Sequence, residues 1–249
     1  MFCHGTPWSS ALWSRVADAL SDDFTVYLWD MLGYGSSAMA EGHDVSIAAQ
    51  SVLLCDLLSD WELSDPHVVS HDYGGAVALR AHLLHDARFQ SLALVDVVAL
   101  APWGSDFFRL VAGNAGVFSR IPAPLHAALV RAYVAGAAHR PLREEQLNML
   151  AGPWLSAEGQ AAFYRQIAAA DQRHTDEVEP FYSSLDVPVL IAWGVEDSWI
   201  PVDRAHRLAE LIPGSELHLV PEAGHLIQLD APEQLTAILQ RWQLAQSDR

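Results

Sequence analysis

The chain has 249 residues, 51% of them apolar, which predicts one large domain with a sizeable buried core. Lys and Arg total 14 against 31 Asp and Glu, and the formal net charge of −17 repels nucleic-acid phosphates and anionic lipid headgroups. This charge excludes nucleic acid and membrane surfaces as expected partners. It also disfavours an anionic substrate unless a local positive patch is present, so a small neutral organic substrate fits best.

The two cysteines, Cys3 and Cys55, are too few for a disulfide framework and are typical of a reducing compartment. The N-terminus lacks the basic stretch and apolar run of a signal peptide, and the most apolar segment, residues 92–101, is too short to span a bilayer. We therefore expect a cytoplasmic protein with no cofactor and no metal ion. Both a monomer and a homo-oligomer remain open.

Short apolar and β-branched runs alternate with helical patterns along the chain. They predict strands at residues 24–29, 67–70, 92–98, 187–193 and 216–220. Apolar residues at spacings of three and four predict helices at residues 12–20, 47–61, 75–84, 204–211 and 232–243. This alternation predicts an α/β fold with a mostly parallel sheet and crossover helices.

The alternation stops between residues 101 and 185. Prolines cut this segment into short helical pieces rich in Ala, Leu and aromatic residues. We expect a core domain formed by residues 1–100 and 186–249, and a helical cap of residues 101–185 that lies over the strand ends.

A motif centred on Asp72 joins the second predicted strand to the helix that follows it. Its residues, Ser70-His71-Asp72-Tyr73-Gly74, have the form small, any, nucleophile, any, small, which is typical of a nucleophile elbow. Such a turn is so tight that the residues flanking the nucleophile must be small. The alternative is that Asp72 merely caps the following helix. That alternative loses weight because the other elements of such a site follow in the expected order.

Two loops add polar groups at the carboxyl ends of strands, where the reactive groups of parallel sheets gather. The segment His-Gly-Thr-Pro at residues 4–7 lies where an oxyanion loop belongs, and its glycine leaves the backbone N–H groups free to donate. His225 follows Gly224 after the last strand. This position predicts an imidazole that approaches Asp72.

A carboxylate is needed to hold the imidazole in one tautomer and to stabilise its protonated form. Asp197 follows the fourth predicted strand, and it lies between Asp72 and His225 in the chain, which gives the order nucleophile, acid, histidine. The neighbouring Glu196 would point elsewhere. Asp96 is the alternative acid, because it lies near the end of the third strand and could reach the same histidine. Its other interpretation is a buried, hydrogen-bonded carboxylate.

Together these motifs resemble the aspartate-nucleophile branch of the α/β-hydrolase superfamily, which contains epoxide hydrolases, haloalkane dehalogenases and fluoroacetate dehalogenases. The resemblance covers most of the chain and includes the segment Asp-Met-Leu-Gly-Tyr-Gly-Ser-Ser at residues 30–37. It implies an α/β-hydrolase fold with a helical cap. It also implies that Asp72, His225 and Asp197 are the catalytic residues.

The resemblance further implies hydrolysis in two steps. A carboxylate is already charged and can displace a halide or open an epoxide at carbon, which leaves an alkyl ester on Asp72. His225 would then activate a water that attacks this ester. The backbone N–H groups of Thr6 and Tyr73 would hold the oxyanion.

Members of the branch differ in the side chains that stabilise the leaving group. Epoxide hydrolases use two cap tyrosines, and Tyr164, in the sequence Phe-Tyr-Arg, is similar to the second of them. Tyr133 is the candidate partner. The alternative for Tyr164 is a core position on an amphipathic helix.

Haloalkane dehalogenases place Asn after His-Gly and Trp after the nucleophile, whereas this chain has Thr6 and Tyr73 there. Trp8 or Trp103 could still supply an indole N–H to a halide. We therefore expect epoxide hydrolysis slightly ahead of haloalkane or haloacid dehalogenation.

Members of the superfamily normally begin with a hairpin and a third strand that leads into His-Gly, whereas this chain starts almost on that motif. The absent strand predicts a gap in the sheet with unpaired backbone groups. A misassigned start or a truncated chain would explain it. A non-catalytic binding protein and an inactive hydrolase fragment are thus further alternatives. The intact set of Asp72, Asp197 and His225 argues against a dedicated binding role.

Overall fold

A parallel sheet of five strands forms the centre of the computed structural model, which describes residues 1–247. The strands are β1 (Phe2–Cys3), β2 (His67–Asp72), β3 (Ser91–Val97), β4 (Val189–Gly194) and β5 (Glu216–Val220). They lie side by side in chain order, and every pairing is parallel. The expected α/β fold is therefore confirmed.

Helices cover the sheet and form the segment between β3 and β4. They are α1 (Ser14–Leu20), α2 (Ile47–Asp60), α3 (Tyr73–His85), α4 (Asp106–Phe118), α5 (Ala123–Ala135), α6 (Glu144–Ala151), α7 (Ala157–Ala168), α8 (Arg173–Asp176), α9 (Asp203–Leu211), α10 (Ile227–Asp230) and α11 (Pro232–Ser247). Short 3₁₀ segments lie at Ser10–Trp13, Gly152–Trp154 and Glu179–Ser184. Among residues 1–247, no helix has both the length and the apolarity needed to cross a bilayer.

Both faces of strands β2, β3 and β4 are buried, as expected for parallel strands covered by helices. Neighbouring residues of a strand point to opposite faces. Val68 of β2 packs in the apolar layer that contains α2 and α3, whereas Val69 packs in the layer that contains α1 and α11. Leu94 and Val95 of β3 divide in the same way. The two layers hold the strand ends, and with them the loops that follow, in fixed positions.

The predicted strand at residues 24–29 is wrong. The segment makes a single bridge, from Leu28 to Phe2. Its partner β1 contains only two residues, so a longer ladder has no backbone groups to pair with.

The gap expected beside β2 is occupied in part by β1. The N–H of Phe2 donates to the carbonyl of Tyr27 over 2.9 Å. The N–H of Val69 donates to the carbonyl of Met1 over 2.9 Å, and the amino group of Met1 donates to the carbonyl of His67 over 2.7 Å. These backbone groups therefore have partners, which corrects the expectation of unpaired groups. A groove of about 280 Å³ lies beside Met1 and Phe2.

The segment of residues 101–185 is helical, as predicted, and it contacts the loops at the carboxyl ends of the strands. The indole N–H of Trp154 donates to the carbonyl of Pro7 over 2.8 Å. The hydroxyl of Tyr182 donates to the carbonyl of Ala99 over 2.7 Å. The division into a core domain and a cap domain stays a prediction.

Candidate active site

Asp72 ends β2 at the point where the chain turns into α3. Its φ of 50° and ψ of −123° are strained for a residue with a side chain, and strain of this kind is typical of functional sites. A β-carbon on Gly74 would lie 2.5 Å from the carbonyl oxygen of His4, so the turn admits only glycine there. The Asp72 side chain makes no capping hydrogen bond to α3. The interpretation of Asp72 as a simple helix cap is therefore wrong.

The two carboxylate oxygens of Asp72 have different neighbours. Oδ1 accepts the backbone N–H of Thr6 over 2.6 Å, whereas Oδ2 lies 3.4 Å from Nε2 of His225. The loop of Thr6 comes this close because Gly5 has no side chain, since a β-carbon there would lie 2.3 Å from Oδ1. One oxygen is thus bound to the predicted oxyanion loop, and the other lies next to the imidazole.

His225 is fully buried and held by Asp197. Nδ1 of the ring lies 2.9 Å from Oδ2 of Asp197. Oδ1 of Asp197 accepts the backbone N–H groups of Trp199 over 2.7 Å and Ile200 over 2.9 Å. Because a carboxylate accepts hydrogen bonds, Nδ1 carries the donated proton and Nε2 is directed toward Asp72.

Asp230 anchors the loop that carries His225. Its Oδ2 accepts the N–H of Gly224 over 2.9 Å and that of His139 over 2.8 Å, and its Oδ1 accepts the N–H of Arg140 over 3.0 Å. Hydrogen bonds to a charged acceptor are stronger than neutral ones. Asp230 therefore ties the histidine loop to the helical segment beside it.

The charges around His225 favour its protonated form. Burial by itself lowers the pKa of His225, but the Asp197 and Asp72 carboxylates outweigh this effect and raise it to about 10. The resting imidazole is therefore protonated at neutral pH. Any reaction that removes the negative charge of Asp72 removes part of this attraction and lowers the pKa of His225 again.

Asp96, the alternative acid, is not paired with the imidazole. Its Oδ1 accepts the N–H of Gly194 over 2.8 Å, and its Oδ2 is buried without a partner. Burial, followed by repulsion from Asp197, raises the pKa of Asp96 well above its usual range. Asp96 thus fits its other interpretation, a buried hydrogen-bonded carboxyl group, and Asp197 makes the contact with His225.

His71, the residue before the nucleophile, packs against His225 with a ring-centroid separation of 4.6 Å. Its Nδ1 donates to the carbonyl of Val95 over 2.9 Å. Burial, followed by repulsion from His225, lowers the pKa of His71 well below its usual range. The ring is therefore neutral, and it supports His225 without competing for a proton.

A cavity of about 180 Å³ adjoins Asp72. Apolar side chains dominate its wall and include Val98, Trp103, Phe108, Tyr133, Trp199 and Ile200. Tyr73 also lines the cavity, and its hydroxyl is buried without a partner. Burial raises the pKa of Tyr73 and of Tyr133 well above the usual range, and the charge of Asp72 adds to this shift. Both phenols are therefore neutral hydrogen-bond donors at physiological pH.

The structure brings Tyr133 to the cavity but not Tyr164. The hydroxyl of Tyr164 pairs with Nδ1 of His126 over 2.9 Å. Its ring packs against Phe118 and Phe163, with centroids 5.4 and 5.2 Å away. This placement corrects the expectation that Tyr164 contacts a leaving group, because its hydroxyl is committed to the interior of the helical segment.

Neither of the two expected indoles offers a free N–H to the cavity. Trp103 lines the cavity, but its Nε1 donates to the hydroxyl of Thr175 over 2.8 Å. Trp8 stacks on Trp199 with centroids 5.5 Å apart and lies 6.4 Å from the ring of His225. Its Nε1 has no partner, yet Trp8 is not part of the cavity wall.

Sequence reasoning missed Gln166 on α7. Its Oε1 accepts the hydroxyl of Thr6 over 2.5 Å and that of Tyr34 over 3.0 Å. The available signal was a polar residue in the same buried stripe as Phe163 and Ile167, since buried polar side chains are uncommon and have a reason.

Comparisons with known proteins place the chain in a family. A family model described as alpha/beta hydrolase fold matches residues 1–232. A solved alpha/beta hydrolase fold protein from Burkholderia ambifaria is 46% identical, with a TM-score of 0.93, over 96% of this chain and 88% of that chain. An uncharacterized protein of Mycobacterium tuberculosis is 29% identical over 97% of this chain and 74% of its own length. Haloalkane dehalogenase 2 of the same species is 27% identical over 96% of this chain and 85% of its own length.

The chain therefore belongs to the alpha/beta hydrolase fold family, and it has a haloalkane dehalogenase among its relatives.

Proposed function

We propose that this protein is a hydrolase that attacks a saturated carbon with Asp72 and forms a covalent alkyl-enzyme ester. The observation that carries this proposal is the split environment of the Asp72 carboxylate, with Oδ1 on the N–H of Thr6 and Oδ2 beside His225. A carboxylate attacks without losing a proton, so the first step needs no base. Asp72 also lines the cavity, where a substrate carbon can reach it.

In the first step, Oδ2 of Asp72 forms a bond to the substrate carbon. The bond from that carbon to the leaving group breaks, and the leaving group departs with the electron pair. The hydroxyls of Tyr73 and Tyr133 donate hydrogen bonds to it. The Tyr73 hydroxyl is available for this role because it has no partner within the described part of the chain.

In the second step, Nε2 of His225 removes a proton from water, and the hydroxide attacks Cγ of Asp72. Negative charge then develops on Oδ1, which already faces the N–H of Thr6. The N–H of Tyr73 is the second donor, since the first N–H groups of a helix have no intrahelical acceptor. The bond between Cγ and Oδ2 breaks, the alkoxide takes the proton from His225, and the alcohol leaves.

Ester formation prepares His225 for this second role. In the resting protein, attraction by Asp197 and Asp72 holds the imidazole protonated. The ester of Asp72 is neutral, so one of these attractions disappears and the pKa of His225 falls. A neutral imidazole that can accept a proton from water is thus favoured only after the nucleophile has reacted.

Dehalogenation of a small neutral haloalkane is the leading substrate assignment. The expectation of epoxides rested on two cap tyrosines and on the absence of the halide-binding Asn and Trp. One of the tyrosines, Tyr164, lies outside the cavity, and a relative over 96% of the chain is a haloalkane dehalogenase. A halide leaves as a stable anion and needs hydrogen-bond donors, which Tyr73 and Tyr133 supply. A mostly apolar cavity of about 180 Å³ suits a small uncharged molecule.

Epoxide hydrolysis is the second candidate, and the position of Tyr133 favours it. An epoxide oxygen becomes an alkoxide and must gain a proton. Tyr133 and Tyr73 both line the cavity with Asp72, so two phenols would share this task. Tyr73 then replaces Tyr164 as the second tyrosine.

Trapping the ester in a His225→Gln variant tests the proposal. Without the imidazole, Asp72 still attacks carbon but the ester is not hydrolysed. Intact-protein mass spectrometry after incubation with small haloalkanes, haloacids and epoxides should therefore show one covalent adduct. A haloalkane adds its alkyl group in place of one hydrogen, whereas an epoxide adds its whole mass, so the mass identifies the class.

The same experiment separates catalysis from binding. Asp72→Asn in the His225→Gln background should abolish the adduct, because a neutral amide is a poor nucleophile. If the panel binds to the wild type but neither turnover nor an adduct is seen, the binding-protein alternative is correct.

A further inference from the structure

The carboxamide of Gln166 contacts the oxyanion loop at Thr6, the residue that also donates to Asp72. Gln166 is 2% exposed, and its Oε1 accepts the hydroxyl of Thr6 over 2.5 Å. The hydroxyl of Tyr34 donates to the same oxygen over 3.0 Å. Thr6 lines the cavity but Gln166 does not. Gln166 therefore acts on the reaction only through the residues that it contacts, and of these Thr6 donates to Asp72.

Thr6 has two hydrogen bonds with different destinations. Its backbone N–H donates to Oδ1 of Asp72, and its side-chain hydroxyl donates to Gln166. The direction of the N–H depends on how this residue is held. The next residue, Pro7, is held separately, through its carbonyl, by the indole of Trp154. Helix α7 and the Gly152–Trp154 segment thus fix two consecutive residues of the loop.

We propose that Gln166 is a positioning residue that holds the Thr6 N–H in line with Oδ1 of Asp72 and thereby accelerates hydrolysis of the alkyl-enzyme ester. This inference rests on the proposed covalent mechanism. It assigns to α7 a part in the second chemical step, although no atom of Gln166 touches the reacting groups.

The two steps make opposite demands on the hydrogen bond from Thr6. During alkylation, Oδ1 changes from a carboxylate oxygen to an ester carbonyl oxygen, and the bond from the N–H weakens. During hydrolysis, Oδ1 gains a full negative charge, and the same bond strengthens. A misaligned N–H should therefore slow hydrolysis and leave alkylation almost unchanged.

A Gln166→Met variant is well suited to test this. Met has similar length and no hydrogen-bonding amide. It removes the Nε2 group of Gln166, which is buried without a partner, but it leaves the hydroxyls of Thr6 and Tyr34 without their acceptor, so urea denaturation must show that the variant is folded. Single-turnover measurements with a substrate that alkylates Asp72 give the two rates separately. We expect the rate of ester decay to fall about tenfold, whereas deletion of an oxyanion donor lowers a rate by about 10²- to 10³-fold. The rate of alkylation should stay within about twofold of that of the wild type.

A matched control lies on the same helix. Gln160 is 8% exposed, and its Nε2 donates to the carbonyls of Ser119 and Ile121 within the helical segment. Gln160→Met therefore removes buried hydrogen bonds of α7 without touching the oxyanion loop. Its ester decay should match that of the wild type.

A second variant removes the donor of the same hydrogen bond instead of its acceptor. Thr6→Val retains the backbone N–H but removes the hydroxyl, so it should also slow ester decay selectively. The double variant should be no slower than Gln166→Met alone, because both changes break the hydrogen bond between Thr6 and Gln166, and Gln166→Met also breaks the one from Tyr34.

Two results would overturn the inference. One is an unchanged rate of ester decay in both Gln166→Met and Thr6→Val. The other is an equal slowing of alkylation and decay, which indicates general loosening of the site. Failure of the proposed function looks different, because then His225→Gln accumulates no ester with any substrate.

Discussion

The backbone N–H of Thr6 lies 2.6 Å from Oδ1 of Asp72, so the nucleophile and its oxyanion loop are joined before any substrate arrives. This contact makes the two carboxylate oxygens unequal. In the proposed mechanism, Oδ1 accepts the later negative charge, and Oδ2, which lies next to His225, attacks carbon.

Removal of the Asp197 carboxylate should impair the second step far more than the first. Asp197→Asn loses the acceptor for Nδ1 of His225 and favours the wrong tautomer, which costs about 10⁴-fold in the Ser-His-Asp triad of an unrelated fold. We expect rapid-quench measurements to show a similar decrease in the rate of ester decay. Asp96→Asn is the control, since Asp96 accepts from Gly194 and not from the imidazole. A larger loss in Asp96→Asn would transfer the role of acid to Asp96.

The three tyrosines should divide into two groups. Tyr73→Phe and Tyr133→Phe each remove the hydroxyl of a residue that lines the cavity, so alkylation should slow about 10- to 100-fold, the range for a hydrogen bond to a charged group. Tyr164→Phe should leave alkylation unchanged and lower the free energy of unfolding, because its hydroxyl pairs with buried His126. Alkylation rates and urea denaturation measure the two effects. Selective loss in Tyr164→Phe would restore the original epoxide argument.

The position of Asp72, Asp197 and His225 could be predicted because each residue follows a strand of a parallel sheet. Carboxyl ends of such strands meet at one edge, so chain order and loop position bring the three side chains together. The same reasoning could not show that residues 24–29 fail to form a strand. Its pairing depends on β1, whose two residues carry too little pattern to define a strand.

The face of α7 that lies toward the candidate site could not be predicted from the sequence either. Tyr164 and Gln166 are two positions apart, which places them about 200° apart around a helix. Both are buried, Tyr164 against His126 and Gln166 against Thr6. When both faces of a helix are covered, hydrophobic periodicity no longer shows which face lies toward the site. The tyrosine motif therefore indicated the correct helix but the wrong side of it.

Neutral substrates should be preferred over anionic ones despite the presence of Arg204 in the cavity wall. Nη1 of Arg204 already donates to the carbonyl of Ala101 over 2.7 Å, and its Nε lies 4.0 Å from the carboxylate of Asp203. The net charge of −17 repels an approaching anion. We expect kcat/KM for a chloroalkane to exceed that for a chlorocarboxylate of equal length by about tenfold or more at low salt, with the ratio falling as salt rises. The reverse preference, lost in Arg204→Met, would identify a haloacid dehalogenase.

The rate of ester decay should depend on pH, whereas the rate of alkylation by a haloalkane should not. Alkylation by a haloalkane requires no proton transfer, so its rate should not follow the titration of a general base. Ester decay requires neutral His225. In the resting protein the carboxylates of Asp197 and Asp72 outweigh burial and raise the pKa of His225 to about 10.

Esterification removes the charge of Asp72 but not that of Asp197, so the pKa of His225 in the alkyl-enzyme should lie below about 10. Below that pKa, the fraction of neutral imidazole and hence ester decay should rise about tenfold per pH unit, and it should level off above it. Single-turnover decay measured from about pH 6 to about pH 10 gives the midpoint directly. Asp197→Asn should move the midpoint to lower pH, because the remaining attraction is then lost. Ester decay that is constant or falls as pH rises would show that His225 does not act as the base.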